Sequence, residues 1–267
     1  MPAVPLARLK KQIADLTLNY TRPAEFVHDV DALLEYYGDH VFRTGMATQP
    51  APLAPMYHTP PLVLRQLEME LAPLVQANPN ATLQLTDALW QARHLETRLL
   101  AVILVGRLPA SHSEQVVQRL QAWAAPQEER RLLDALIVQG TAGLIAHQPD
   151  ALLSLIRTWL SSSDAAVMGL GLRALLPLIR DEEFENLPPI FAAVSPVLQS
   201  AAPAVQAELL EVTRALARRS PAETTFFLKQ ILSMAPAPAV TRMARKVLPE
   251  LPPILQASLR EYVIPRP

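Results

Sequence analysis

The chain contains no cysteine and has few glycines and few aromatic residues. Without cysteine it has no disulfide bonds, no thiolate metal sites and no cysteine nucleophile. Seven glycines among 267 residues argue against tight β-hairpins and phosphate-cradling loops. There is no overall basic excess either, because the net charge is −1, and this counts against a generally basic nucleic-acid-binding surface.

Long apolar runs are also missing. The longest uncharged stretches, 44–64 and 186–207, are interrupted by several prolines and do not suit a membrane span. The first twelve residues carry Arg8, Lys10 and Lys11 with no apolar stretch behind them, so we expect no signal peptide. We expect a cytoplasmic monomer that requires no membrane and no cofactor.

Proline is abundant, with 26 residues, and its spacing is the strongest positive signal. Proline fits the first turn of a helix and disrupts the interior. From residue 109 onward, prolines recur about one helix length apart, which predicts a row of short helices. The prolines that set this spacing are Pro109, Pro126, Pro149, Pro188, Pro189, Pro203, Pro221, Pro236, Pro238, Pro252 and Pro253.

The segments between these prolines have amphipathic patterns. One apolar stripe runs through Val205, Leu209, Val212 and Leu216, and a similar one through Leu152, Leu155, Ile156 and Trp159. We predict helices over 6–19, 24–37, 61–77, 81–91, 95–107, 113–124, 128–147, 150–161, 165–180, 188–199, 204–219, 222–234, 238–249 and 253–263.

Stacked helix pairs bury such stripes in a continuous core. The expected fold is therefore all-α, a right-handed superhelix (an α-solenoid) of HEAT-like antiparallel helix pairs. We expect one domain over 1–267, with N-terminal helices in 1–48, a Pro-rich loop in 49–61 and helical repeats in 62–263.

Several single residues carry local predictions. Asp164 should cap the helix that follows it, and Ser220 with Glu223 should form a capping box around Pro221. The glycines inside helical segments should permit close helix packing rather than bind phosphate; they are Gly140, Gly143, Gly169 and Gly171.

The Pro-rich loop has two interpretations. It is a strap over the end of the solenoid, or it places Tyr57 and His58 against a ligand. An N-terminal polar cluster suits a solvated surface better than a metal site, and we predict no metal; it comprises His28, Asp29, Asp31, Glu35, Asp39 and His40. A metal-dependent hydrolase that uses this cluster is the least favoured function.

Basic residues cluster late in two C-terminal helices, three in each. They could follow a phosphate backbone along one edge of a solenoid, or simply complement the helix dipoles. The six residues are Arg214, Arg218, Arg219, Arg242, Arg245 and Lys246.

Asp134 stands among apolar residues in the segment Leu132–Ile137. A carboxylate in such a setting needs a partner or a wet cleft. It is either a surface acid on an amphipathic helix or a groove carboxylate placed to stabilise developing positive charge. Arg130 and Arg131, just before it, join the DNA-binding candidates.

Three stretches resemble the HEAT-like-repeat DNA alkylation repair family, the alkylpurine DNA glycosylases. They are Ala88–Leu108, Leu132–Asp164 and Ala204–Leu228. The first has a tryptophan and a Glu-led apolar helix, the second an aspartate followed by a proline-started helix with a tryptophan and a Ser-Asp cap, and the third an arginine-bearing helix.

The resemblance implies duplex DNA in a concave groove. It also implies an aspartate that stabilises charge on the deoxyribose as the N-glycosidic bond breaks, with water as the nucleophile. Asp134 falls at that aspartate's position and Arg214 at that of a late-helix arginine. Two positions where the family has tryptophan hold Arg130 and Glu211.

The sequence thus predicts a DNA-binding protein of this family that excises or senses alkylated purines, with its aromatic positions substituted. The alternative is a non-catalytic solenoid with a protein partner in its concave groove.

Overall fold

A computed structural model of the chain describes residues 4–38, 54–125, 128–200, 202–234 and 237–263. Helices dominate this part of the chain and no β-strand occurs in it, which confirms the all-α prediction. Among these same residues, no helix is both long enough and apolar enough to cross a membrane.

Outside the segment 128–147, the α-helices begin and end within a few residues of the predicted bounds. In chain order they are α1 Leu6–Thr17, α2 Pro23–Tyr37, α3 Pro61–Ala77, α4 Pro79–Trp90, α5 Leu95–Val105, α6 Ser113–Trp123, α7 Arg130–Ala135, α8 Ala142–His147, α9 Pro149–Leu160, α10 Ala165–Arg180, α11 Pro188–Ser200, α12 Gln206–Arg219, α13 Pro221–Ser233, α14 Pro238–Val247 and α15 Pro253–Val263. Short 3₁₀ turns precede α6 and α12 and follow α14.

The chain divides into two compact units, Met1–Ala151 and Leu152–Pro267. In the first, α5 is the central helix: it packs against α2, α3, α4 and α7, and nine of its eleven residues are buried. In the second, α12 packs against α10, α11, α13 and α14. The stripe Val205, Leu209, Val212 and Leu216 is buried there, as its spacing predicts.

Prolines start eight of the helices, which confirms their use as helix-start signals. The missing N–H of proline costs nothing in the first turn, where that donor has no intrahelical partner. Three further prolines, Pro73, Pro177 and Pro196, lie inside helices but within their last five residues.

The segment predicted as one helix over 128–147 is interrupted. After α7 the backbone widens into a π turn, Leu136–Gly140, and α8 begins only at Ala142. The N–H of Thr141 donates to the Leu136 carbonyl at 3.1 Å, and its hydroxyl donates to the Ile137 carbonyl at 2.5 Å. The single-helix prediction is therefore wrong.

The interruption of the helix is explained by packing against the end of α5, about 30 residues earlier in the sequence. Gly106, just past its end, lies against the backbone of Gln139 with no room for a side chain. The N–H of Gly143 donates to the Gly106 carbonyl at 3.1 Å, and a Cβ on Gly140 would stand 2.7 Å from Leu120. Close packing is thus confirmed for Gly140 and Gly143.

The remaining local predictions divide evenly. A Cβ on Gly171 would lie 3.1 Å from the Cβ of Trp159, which confirms close packing, whereas the nearest atoms at Gly169 are 3.8 Å away. Asp164 caps α10 by accepting from the N–H groups of Ala166 and Val167, at 2.8 and 3.3 Å. The capping box is wrong, because the Ser220 hydroxyl donates to the Glu223 carboxylate at 3.0 Å instead of capping the backbone of α13.

Candidate functional site

Asp134 lies on the solvent side of the short helix α7. Leu132, Leu133 and Ala135 point inward and are buried, whereas the Asp134 side chain is 51% exposed. Arg130, one turn earlier, is 84% exposed and its Nε lies 3.9 Å from Asp134 Oδ2. The geometry matches a surface acid on an amphipathic helix and brings three candidate residues together, since Arg131 is exposed as well.

A stack of side chains holds the connection that leads into α7. Trp123, at the end of α6, stacks on Trp90 of α4 with ring centroids 4.4 Å apart and planes 9° from parallel. The guanidinium of Arg98 lies 4.2 Å from the Trp90 centroid. Arg98 also pairs with Glu128, two residues before α7, at 2.6 Å, and both side chains are largely buried.

This stack fixes both ends of the α6–α7 connection to α4 and α5. Sequence reasoning missed it, because Arg98 and Glu128 are 30 residues apart in the chain. The sequence feature that could have pointed to this stack is the scarcity of tryptophan, because Trp90 and Trp123 are two of only three tryptophans in the chain.

The end of the Pro-rich loop borders the same helix. Arg131 Nη1 donates to the sulfur of Met56 at 3.9 Å. Tyr57 stacks on His94 with centroids 3.9 Å apart, and His58 is exposed. Burial, together with the carboxylates of Asp31, Glu35 and Glu96, raises the pKa of Tyr57 well above its ordinary value. Residues 49–53 of the loop lie outside the described part of the chain.

In the second unit, two of the six basic candidates surround one carboxylate. Arg218 donates to both oxygens of Glu250, at 2.9 and 3.2 Å. Arg214 lies 3.7 Å from Glu250 and 3.3 Å from Glu211. The hydrogen bond from Arg218 lowers the pKa of Glu250.

Two more of the six are held by backbone carbonyls. Arg219 donates to the carbonyls of Glu182 and Phe184, at 2.9 and 3.4 Å. Arg245 donates to the carbonyl of Val263, the last residue of α15, at 2.9 Å. Arg245 thus contacts the C-terminal end of a helix, whereas Arg219 contacts the loop between α10 and α11.

Arg242 and Lys246 differ from the other four. Both are exposed on α14, and no acidic side chain of the described residues pairs with either. Among the six candidates, these two are therefore the ones available to an external anion.

The N-terminal polar cluster is used for internal hydrogen bonds where the structure describes it. Asp29 accepts from Asn19 at 2.7 Å, and Asp31 accepts from the Thr97 hydroxyl at 2.5 Å. Asp39 and His40 lie outside the described residues. Within the described ranges, no group of three or more histidine and acidic side chains is arranged to hold a metal ion.

Comparison with known proteins gives the family. The model for the DNA alkylation repair enzyme family matches residues 62–250, most of the chain. The chain belongs to the DNA alkylation repair enzyme family. No curated protein and no solved structure matches it significantly.

The matched region of this family member runs from α3 to the 3₁₀ turn after α14. It contains the three stretches on which the resemblance rested, together with Asp134 and all the basic candidates. Tyr57 and His58 lie just outside it. Membership links the chain to DNA repair.

Proposed function

We propose that this family member binds duplex DNA and recognises alkylated purines, with the exposed face of α7 at the lesion. The observation that carries the proposal is the grouping of Asp134, Arg130 and Arg131 on one solvent-facing surface inside the family match. Two exposed guanidinium groups suit contacts with phosphate oxygens. The right-handed HEAT-like superhelix stays a prediction within this proposal.

The surroundings of Asp134 favour recognition over excision. A carboxylate that stabilises an oxocarbenium-like sugar works best where water is excluded: two unit charges 4 Å apart interact by about 1 kcal/mol in bulk water and about 4 kcal/mol near a protein surface. The Asp134 side chain is half exposed and already has Arg130 3.9 Å away. Excision by way of Asp134, with water as the nucleophile, is therefore the second candidate.

The third candidate function is a non-catalytic scaffold that binds another protein. It is supported by the internal use of Arg214, Arg218, Arg219 and Arg245, whose contacts with Glu250 and with backbone carbonyls reduce the charge offered to phosphates.

Salt titration of duplex DNA binding distinguishes a protein-binding scaffold from a protein that recognises DNA. DNA recognition predicts an affinity that falls steeply with salt, with a slope of about 0.9 per phosphate contact. Changing Arg130 and Arg131 to Ala should weaken binding and flatten the slope by about two. Arg22→Ala, which removes an exposed arginine of the first unit, is the matched control. Absent or salt-independent binding by the unaltered chain contradicts the proposal.

A base-release assay tests excision. Duplexes that carry one N7-methylguanine or N3-methyladenine are incubated with the protein and with Asp134→Asn. Release of the base above the level seen with Asp134→Asn supports excision by way of Asp134. Equal release by the two proteins contradicts excision by way of Asp134 and does not affect the proposal of DNA recognition.

A further inference from the structure

The last residues of the Pro-rich loop are fastened to the start of α5. The carbonyl of Pro55 accepts from the N–H of Leu95 at 3.0 Å. The N–H groups of Tyr57 and Thr59 donate to the two carboxylate oxygens of Glu96, at 3.1 and 3.4 Å. Glu96 is only 4% exposed, and a buried carboxylate is tolerated only with such hydrogen bonds. The segment thus has one defined position.

That position presents aromatic side chains. The Tyr57 ring stacks on His94 with an interplanar angle of 27°, and its raised pKa keeps the phenol neutral. His58 follows with a φ of 55°, the only positive value for a non-glycine residue in the described part of the chain. A left-handed conformation is uncommon outside glycine, although histidine is among the residues that adopt it most readily. The side chain of His58 is exposed and follows directly after the stacked Tyr57.

The aromatic segment and the cations of α7 are neighbours. The contact between Arg131 Nη1 and the Met56 sulfur, at 3.9 Å, joins them. His58 is two residues from Met56, so the Cα atoms of the two residues lie within about 7 Å of each other. Aromatic rings beside guanidinium groups are the combination that proteins use to bind nucleic acid where bases are unstacked.

We propose that Tyr57 and His58 form an aromatic wall beside the exposed face of α7, the face that carries Arg130, Arg131 and Asp134. In this position they contact a base or sugar of the bound DNA. They supply the aromatic contact that a tryptophan at the position of Arg130 would make. This inference rests on the proposed function and extends it, because both residues lie outside the region that the family model matches.

The test uses the full chain and a duplex with one N7-methylguanine. Loss of a stacked aromatic weakens binding by about tenfold, so we expect that loss for His58→Ala. We expect His58→Phe to bind like the unaltered chain, because it keeps an aromatic face. The salt slope should stay unchanged in both, whereas Arg131→Ala should lower it by about one.

His58 is exposed, and thermal unfolding checks that these variants still fold. His147→Ala is the matched control, since His147 is also exposed and lies beside Gly106, beyond the opposite end of α5. α5 is about 16 Å long. Tyr57→Phe keeps the stacked ring and should bind like the unaltered chain.

Each outcome has one meaning. If the unaltered chain binds DNA and His58→Ala binds equally well, the aromatic wall is wrong and the proposed function stands. If His58→Phe is as weak as His58→Ala, the contact is not a stack and the inference is overturned. If the unaltered chain shows no binding even at low salt, the proposed function and this inference both fall.

Discussion

Because Gly106 has no side chain, its backbone can pack directly against the backbone of Gln139. A Cβ there would overlap the carbonyl of Gln139, and backbone atoms move less easily than side chains. We expect Gly106→Ala to lower the free energy of unfolding by about 3 kcal/mol, since overpacking commonly costs 1–3 kcal/mol. Urea unfolding measures the change.

Gly169 provides the control for that substitution. It lies within α10 rather than just past a helix end, and its nearest neighbours are 3.8 Å from an added Cβ, an ordinary contact. Alanine is about 1 kcal/mol more favourable than glycine inside a helix, so Gly169→Ala should stabilise the protein by up to about 1 kcal/mol. Equal destabilisation by the two variants would contradict the role given to Gly106.

Tyr57 makes stability sensitive to alkaline pH. Burial and the nearby carboxylates raise its pKa in the folded state, so the folded chain keeps a proton that the unfolded chain releases above about pH 10. The stabilisation is complete below that pH and is lost as pH rises toward the folded-state pKa. Tyr57→Phe should therefore lose less stability than the unaltered chain between pH 8 and pH 11 in urea unfolding.

Tyr36→Phe is the matched control for that measurement, because it removes a hydroxyl from a ring that is 55% exposed. If both variants follow the unaltered chain across this range, Tyr57 is not in the environment described.

At the scale of elements, α7 depends on a clamp outside itself. Arg98 joins Trp90 to Glu128, and the pair is mostly buried. Removing one partner of a buried ion pair costs about 3–5 kcal/mol, and a cation–π contact adds about 1 kcal/mol. Allowing for residual exposure, we expect Arg98→Met to cost about 2–4 kcal/mol and to speed amide exchange in 128–135.

Arg22→Met tests whether burial of the ion pair is the reason for the stability loss expected for Arg98→Met. Its pair with Glu25 has nearly the same length, 2.7 Å, but both side chains are more than half exposed. Such pairs contribute about 0–1 kcal/mol. A loss for Arg22→Met as large as that for Arg98→Met would show that the clamp has no special weight.

The same contrast explains what the sequence could predict. Helix starts depend on local chemistry, so prolines such as Pro149 and Pro221 located them correctly. The interruption after Ala135 depends on Gly106, about 30 residues earlier, and the clamp depends on Arg98 and Glu128, equally distant in sequence. Neither pattern is periodic, and only folding brings the partners together.

The candidate site was predictable to the same degree. Asp134 and the exposed face of α7 follow from helical periodicity and the family resemblance. The pairing of Arg214 and Arg218 with Glu250 was not foreseeable, because Glu250 lies 32 residues beyond Arg218 in a 3₁₀ turn.

For the whole molecule, net charge says little about DNA binding. The first unit carries 12 basic and 15 acidic side chains, and the second carries 12 and 10. A difference of this size exerts no strong long-range attraction at physiological salt, where the Debye length is about 8 Å. Under the proposed function, affinity for DNA therefore depends on which cations are locally available.

Glu250→Gln tests that statement. It changes the net charge by one and releases Arg218 from its carboxylate, whereas Arg214 keeps its closer pair with Glu211. We expect tighter duplex DNA binding and a salt slope steeper by up to about one, since each neutralised phosphate contributes about 0.9. Glu261→Gln makes the same change in net charge, but Glu261 is exposed on α15 and has no ion pair within the described residues. Equal effects of the two variants would mean that net charge, rather than the release of Arg218, sets the affinity. No effect of either would place the DNA contacts away from this part of the second unit.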